Sequence, residues 1–431
     1  MLTRLLRPAA EQAAAVKCAA KAVSDEDDNY RNLMINGAWF GPIDGGVFNY
    51  LPVFLARLGA SPAIIGLLTS GPAFAGILAY IPGGAYTERH SDLVKLGSWT
   101  SVIARLAYPL IALLPFLLRP ADIPLAAVII WTIMSVPMAV YIPAWTTVMQ
   151  QAVSPRRRAE LNGTRWALFS LVSGGSILLF GLMLDRVPSP FGYQIVFLVS
   201  FVSALVSMYY FAKVRIPPFQ SRQAAAPSSA RLDRQLRDFF RPLVENKDFA
   251  RYTAATLPYR LAFSLPIALF SVYWVDNLHA SNTWIGWRGV AGYAALVVGY
   301  RTWGRVANRL GHRNLLLLAG GVSALYPILT ALAPTAPWLL PAAAVWGLTV
   351  SGTDIGFLDM LLATCPPGRQ PRFAAISNML TSVMTFVAPL IGGGLAQIIN
   401  VQTALLVAGA LQLITTAFFL LLPGREQEGL A

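Results

Sequence analysis

Long apolar stretches alternate along this chain with short charged interruptions, and their spacing matches a membrane. Twelve stretches can be marked, at 33–57, 62–86, 94–117, 123–148, 160–184, 191–213, 252–275, 283–306, 314–333, 338–363, 373–397 and 402–422. Each runs about 20 residues or more, which is what an α-helix needs to cross a hydrocarbon core of roughly 30 Å. Backbone groups in lipid must bond within their own segment, so helices are the expected spanning element. The pattern also repeats. Leu58-Gly-Ala-Ser-Pro-Ala-Ile-Ile-Gly66 returns as Leu278-His-Ala-Ser-Asn-Thr-Trp-Ile-Gly286, and the register holds onward, so that Gly84-x3-Glu88-Arg89 meets Gly304-x3-Asn308-Arg309. The predicted fold class is an all-α polytopic membrane protein, with twelve transmembrane helices in two pseudo-symmetric six-helix halves. A duplicated half in so apolar a chain points to a transporter with its site between the halves.

Local chemistry places the boundaries. Ser61-Pro62 sets a capping hydroxyl before a proline at the first helical position, where the missing N–H costs little. Ser24-Asp-Glu-Asp-Asp28 puts acids ahead of the first span, at the positive end of a helix. Gly41-Pro42, Gly45-Gly46, Pro137, Pro143 and Ala388-Pro-Leu-Ile-Gly-Gly-Gly394 lie inside spans, where small residues allow close packing and prolines allow bends. Between the halves the sequence turns polar, from Arg215-Ile-Pro-Pro-Phe-Gln through an Ala/Pro/Ser run to Arg231, Arg234, Arg237 and Arg241. The expected domains are a tail at 1–30, a six-helix domain at 31–213, a linker at 214–250, a second six-helix domain at 251–424 and a tail at 425–431. Leu232 to Phe240 has the spacing of a short interfacial helix. Residues 1–23 lack the apolar core of a secretory signal and read as either a surface amphipathic helix or a loose tail.

Composition agrees: 56% of residues are hydrophobic and 12% charged, about half the charged fraction of soluble domains. The net charge of +13 would suggest nucleic acid in a soluble protein. Here it follows the spans. Of the 33 Lys and Arg, Arg57, Arg119 and Arg186 fall on one side of the membrane and Arg105, Arg165, Arg260 and Arg288 lie within spans, leaving 26 on the other side. The positive-inside rule then puts both termini in the cytoplasm, in a cell inner membrane, with no nucleic-acid partner expected. Cys18 and Cys365 share that reducing side, so no disulfide is expected. His90, His279 and His312 are too scattered for a metal cluster. No Gly-x4-Gly-Lys-Ser/Thr motif occurs, so ATP hydrolysis is not expected, nor any cofactor or enzyme activity.

The charged turns resemble those of the major facilitator superfamily, whose members carry Gly-x3-Asp-Arg-x-Gly-Arg/Lys-Arg/Lys between helices 2 and 3 and echo it between helices 8 and 9. The second copy here is the fuller: Gly304-Arg-Val-Ala-Asn308-Arg309-Leu-Gly311-His-Arg313. The first, Gly84-Ala-Tyr-Thr-Glu88-Arg89-His-Ser-Asp-Leu, keeps the glycine, the acid and the arginine. Val153-Ser-Pro-Arg-Arg-Arg158 and Pro366-Pro-Gly-Arg-Gln-Pro-Arg372 form a second related pair. The resemblance spans roughly residues 30–422. Physically the turn suits a latch in which Glu88 faces the positive start of helix 11 near Arg372 and Arg89 pairs with acids or helix-end carbonyls. The other reading is simple anchoring in the headgroups. Drug–proton antiporters of that superfamily carry an arginine within helix 4 and Gly-Pro-x-x-Gly-Gly in helix 5. Span 123–148 has no Lys or Arg, and the nearest proline-glycine run, Ala388 to Gly393, lies in helix 11.

Charges inside spans cost about 2.5 kcal/mol or more, which makes each a functional candidate. The resemblance implies that helices 1, 4, 7 and 10 line a central cavity, and on that geometry Asp44 and Arg260 face one another as a pair coupled to proton or substrate binding. The bland alternative is a static pair fixing helices 1 and 7. Asp354 is expected in the cavity and Asp359 at the cytoplasmic gate with Arg165. Arg105 has no clear assignment, and Arg288 is read as snorkelling to headgroups. Met134, Met138, Tyr141 and Trp145 form one helical stripe, suited either to packing or to apolar ligands, with Tyr259 and Trp346 as lesser candidates. The expected function is a monomeric secondary transporter of a small organic molecule, with proton-coupled export of an amphipathic compound (an antiporter) ahead of organic-anion uptake through Arg260. A non-transporting sensor or assembly factor on the same fold stands as the alternative from a different class.

Overall fold

The computed structural model describes residues 25–217, 240–366 and 370–422, and among these no strand occurs. Twelve helical rods stand side by side. They are α1 (25–57), α2 (Pro62–Glu88), α3 (Leu93–Leu117), α4 (Ile123–Ser135 with Met138–Gln151), α5 (Pro155–Leu184), α6 (Phe191–Ala212), α7 (Lys247–Asn277), α8 (Asn282–Leu310), α9 (His312–Ala331), α10 (Leu339–Thr364), α11 (Gln370–Ile399) and α12 (Val401–Leu421). Eight of these are long and apolar enough to cross a membrane, and the two segments of α4 make a ninth. The remaining three, α1, α8 and α10, carry amides and charges in mid-span, among them Asn36, Asp44, Arg288 and Asp354. Their polarity is what a bundle interior with its own site requires. The expected interfacial helix at 232–240 and the 1–23 tail lie outside the described residues but for Phe240.

The caps and breaks follow the sequence. Ser61 Oγ accepts from Ile64 N and Ser281 Oγ from Trp284 N, so both copies of the repeat start a helix the same way. The segments of α4 meet at Val136-Pro137 with a bend of 46°, as a proline in mid-span favours. By contrast α11 runs unbroken through Pro389, and its glycines serve packing. A Cβ on Gly393 would lie 2.7 Å from Ala63 Cα of α2. The acids ahead of α1 also tie loops together: Asp27 pairs with Arg157, Asp25 with Arg215, and Glu26 accepts from Ser154.

Two seams join the halves, α5 against α8 and α2 against α11. Along both, the cross-contacts lie away from the basic face that carries the α2–α3, α4–α5 and α8–α9 turns. Ser70 Oγ donates to Phe386 O at 2.7 Å, Gly66 abuts Pro389, Gly286 abuts Leu178 and Gly289 abuts Ile177. Ring contacts Phe74–Phe386 and Phe169–Tyr293 close the series. Nearer the basic face, no hydrogen bond, ion pair or ring contact crosses between the halves among the described residues. The contacts between the halves among the described residues therefore gather toward the face opposite the basic one.

Candidate functional site

The site begins with a defect in α1. At Asp44–Phe48 the helix widens to one π-helical turn, a geometry common at functional sites because it re-aims side chains and frees backbone groups. Both kinds of freed group are satisfied here. Asn49 Nδ2 donates to Asp44 O at 2.7 Å, and Val47 N donates to Ser200 Oγ at 3.2 Å. Gly45 allows the approach of α5, since a Cβ there would lie 2.7 Å from Ser173 O. Asp44 is thereby turned toward the other half, where Tyr293 of α8 donates to its Oδ2.

Above this contact lies a cavity of about 430 Å³, within the size range of small-molecule sites. Its walls come from α1, α7, α8, α9, α10 and α12, with no residue from α4. Phe48, Phe263, Phe270 and Trp346 supply aromatic surface. Its cation is Arg288, whose guanidinium lies 4.2 Å above the Trp274 ring and donates from Nη1 to Tyr326 Oη at 3.1 Å. Arg288 thus faces inward, which corrects the headgroup expectation. The buried Nε of Arg288 and the buried indole Nε1 of Trp274 have no protein partner. Two such donors in one cavity are costly unless something accepts from them.

In this conformation Asp44 and Arg260 are not paired. Arg260 lies 4.2 Å from the Phe357 ring centre, within electrostatic reach of Asp354, which accepts from Tyr300 Oη at 3.0 Å. Each interior acid therefore has a tyrosine partner. Tyr259 is in the core of the second half, 1% exposed, bonded to Ser323 Oγ at 2.7 Å and to Gln412. Asp359 meets His312 at 3.2 Å, not Arg165. Arg165 instead lies over Trp145 and Trp166, and Arg105 over Phe40 and Tyr141. Tyr141 and Trp145 thus serve as aromatic faces for arginines in the first half. Glu88, Arg89, Asn308 and Arg309 are exposed on the basic face. No contact of Glu88 with α11 appears among the described residues, and the side chain of Arg372 is not one of them.

A second constellation, absent from the sequence reading, closes the opposite face. Asn282, 6% exposed at the first position of α8, is its hub. Its backbone N–H and side-chain Nδ2 donate to Asp185 Oδ1 at 2.9 and 3.0 Å, and Thr283 N donates to Asp185 Oδ2 at 2.8 Å. Asn282 Oδ1 accepts from Arg57 at 3.2 Å and Tyr193 at 3.0 Å, and its carbonyl accepts from Tyr50 at 3.2 Å. Asp185, Arg57, Tyr50 and Tyr193 belong to the first half, so an α5 carboxylate caps a helix of the second half. Burial raises the pKa of Asp185, but N–H donation from Thr283 and Asn282 outweighs it and leaves the group below its ordinary value. The available signal was the departure within the repeat, Pro62 against Asn282.

Comparison with known proteins fits this architecture. A family model described as the Major Facilitator Superfamily matches residues 35–257 and again 252–430. An MFS-type transporter from Pestalotiopsis microspora is 26% identical over 121 residues, 28% of this chain and 22% of that protein's length. Among solved structures, the nucleoside transporter NupG superposes with a TM-score of 0.70 at 12% identity, covering 92% of this chain and 100% of that one. A bacterial homologue of the iron transporter ferroportin, solved in an inward-facing state, gives 0.66 at 15% identity, covering 92% and 98%. The human organic anion transporter MFSD10 gives 0.62 at 14% identity, covering 91% and 99%. At such identities the likeness is one of fold.

Proposed function

The chain belongs to the major facilitator superfamily, and from that premise we propose that it is a secondary transporter moving a small amphipathic organic anion by alternating access through the central cavity. The carrying observation is the imbalance of charge in the span interiors, with Arg288 as the cation that lines the cavity. Four arginines, Arg105, Arg165, Arg260 and Arg288, are set into the span interiors, each against an aromatic ring. The two mid-span acids, Asp44 and Asp354, each accept from a tyrosine, and none of the four arginines is ion-paired among the described residues. Fixed cations lined with aromatic rings suit a ligand with a negative group and an apolar body. Of the transport readings open to the sequence, anion transport is the one these charges support. A cationic substrate would meet the arginines first.

By the positive-inside rule the basic face is cytoplasmic, in a cell inner membrane with both termini inside. The conformation described is then inward-open, with the Asn282 hub as the closed outer gate. Rocking of the halves, with the hub opening as the Glu88 latch closes, exposes the cavity to the other side. Both seams lie within one chain, so the rocking needs no second copy. Counterflow in liposomes with size-matched aromatic anions, alcohols and amines tests the reading. Competition should track negative charge. Competition that tracks apolar area regardless of charge would refute it.

A further inference from the structure

Resting on that reading, the geometry points to a division of labour inside the cavity: we propose that Arg288 with the Trp274 indole receives the carboxylate of an aromatic monoanion, while Asp44 takes up the one proton that travels with it. Arg288 Nε and Trp274 Nε1, neighbours across the 4.2 Å stack, are buried donors without a protein acceptor. Together they offer a carboxylate two N–H groups and a full positive charge. The rings of Phe270, Trp346 and Phe48 around them leave about 430 Å³ for an apolar body.

Asp44 opens into the same cavity. The titratable group facing it is Tyr293 of α8, and the charged group that shares its cavity is Arg288, also on α8 and within electrostatic reach of Tyr293. From α5, packed against the π-turn, Ser173 and Ile177 approach, neither of them charged. Arg260 and Asp354 lie outside this cavity's lining. The cavity therefore holds one fixed cation and one titratable acid. With Asp44 ionised the cavity lining is neutral in sum and a substrate anion adds an uncompensated charge. With Asp44 protonated, Arg288 is left for the anion. Proton and anion binding thus favour each other reciprocally, as linkage requires. No bond other than the new O–H on Asp44 forms, and the proton comes from the water that fills the open cavity. The loaded carrier has the same charge as the empty one, so transport of a monoanion with its proton is electroneutral.

Titration calorimetry on the purified full chain, with phenylacetate as the probe, tests this between about pH 6 and about pH 8, where the probe carboxylate stays ionised. In buffers of different ionisation enthalpy, the wild type should take up close to one proton per anion toward the alkaline end. Affinity should there fall by up to about tenfold per pH unit. Asp44→Asn should bind phenylacetate with no proton uptake and no pH dependence. Arg288→Gln should lose more than tenfold in phenylacetate affinity while keeping its affinity for 2-phenylethanol, and Arg288→Lys should recover part of the loss. Zero proton uptake by the wild type, or an Arg288→Gln variant that binds phenylacetate like the wild type, overturns the inference. Tighter binding of phenylethylammonium than of phenylacetate overturns the anion reading itself. If Asp44→Asn fails to fold, Tyr293→Phe, which removes the phenol facing the carboxyl, should keep proton uptake and change its pH midpoint; an unchanged midpoint overturns the role of Asp44.

Discussion

Removing the Asn282 side chain should open the outer gate. Asn282→Ala deletes three side-chain hydrogen bonds, to Asp185, Arg57 and Tyr193, at 3.0, 3.2 and 3.0 Å, and every one joins the two halves. Hydrogen bonds of this kind contribute about 1 kcal/mol each net, even where one partner is charged and the gross interaction is larger. Because the bonds exist only while the gate is shut, the full sum of about 3 kcal/mol acts on the conformational equilibrium. At 1.4 kcal/mol per tenfold, that moves the balance by roughly 100-fold toward outward-open. The backbone N–H of residue 282 still reaches Asp185, so the helix keeps its cap and folding is spared.

The change should be visible as a distance. Spin labels at Arg119→Cys in the α3–α4 turn and Thr335→Cys before α10 report the separation of the halves at the outer face, in a background lacking Cys18 and Cys365. The wild type should give one short population, and Asn282→Ala a second, longer one of comparable weight. A distribution unchanged by the substitution would refute the hub. It would assign the closing energy to the apolar seam of Gly286, Gly289 and Ile177 instead.

Other outcomes follow from the same geometry. Acidifying the outer medium below the ordinary carboxylate range should open the gate. The Asp185 pKa is depressed when the gate is shut, so its contribution is full above the ordinary value and is lost as pH falls through the depressed one. Asp185→Asn should then abolish this acid response in the spin-label assay. Gly181→Val should hold the outer face open, because even a Cβ there would collide with Asn282 O and lie 2.6 Å from Tyr50 Oη; accessibility of Arg119→Cys and Thr335→Cys to an impermeant thiol reagent should rise. Tyr259→Phe should lower thermal stability by about 1 kcal/mol in a thermal-unfolding assay, since its hydroxyl bonds Ser323 and Gln412. Glu88→Gln should bias the carrier a few-fold further toward inward-open, by about 0.3–1 kcal/mol of helix-end attraction lost when the inner side closes. An unchanged balance in a cysteine-accessibility assay would remove the latch role.

How much of this was legible depends on the range of the interaction involved. Span lengths, the duplicated halves and the Ser61 and Ser281 caps follow from local rules, and residues a few positions apart decide them. The bend at Pro137 is local too. The cavity is not. Asp44 is visibly a mid-span acid, but its partner depends on how the helices are rotated, and from the π-helical turn it meets Tyr293 and not Arg260. Arg288 looked like a headgroup residue because its position near a helix end is one-dimensional information. Its orientation toward Trp274 depends on how α8 rotates against α7. Tyr259 is a lesser candidate by sequence, but neighbours on a helix point about 100° apart, and beside Arg260 its ring is turned into the core.

The repeat that reveals the two halves also shows why their seams differ. Both copies place a serine cap before the helix, and then one supplies Pro62 and the other Asn282. Proline has no N–H to give, so the start of α2 presents no first donor across the boundary. It meets α11 by close packing, Pro62 and Ala63 against Gly393, with one hydrogen bond further along from Ser70. Asparagine keeps its N–H and adds an amide, so the start of α8 can hold a carboxylate, an arginine and two phenols of the other half. Packing contacts are indifferent to pH, and contacts with Asp185 are not. The residue at this position, together with what faces it, makes one seam a packing contact and the other a polar one. Exchanging the two residues, Pro62→Asn with Asn282→Pro, should not transfer the polar contact to α2, because the segment facing it, Gly392-Gly-Gly394 of α11, offers no carboxylate where α5 offers Asp185.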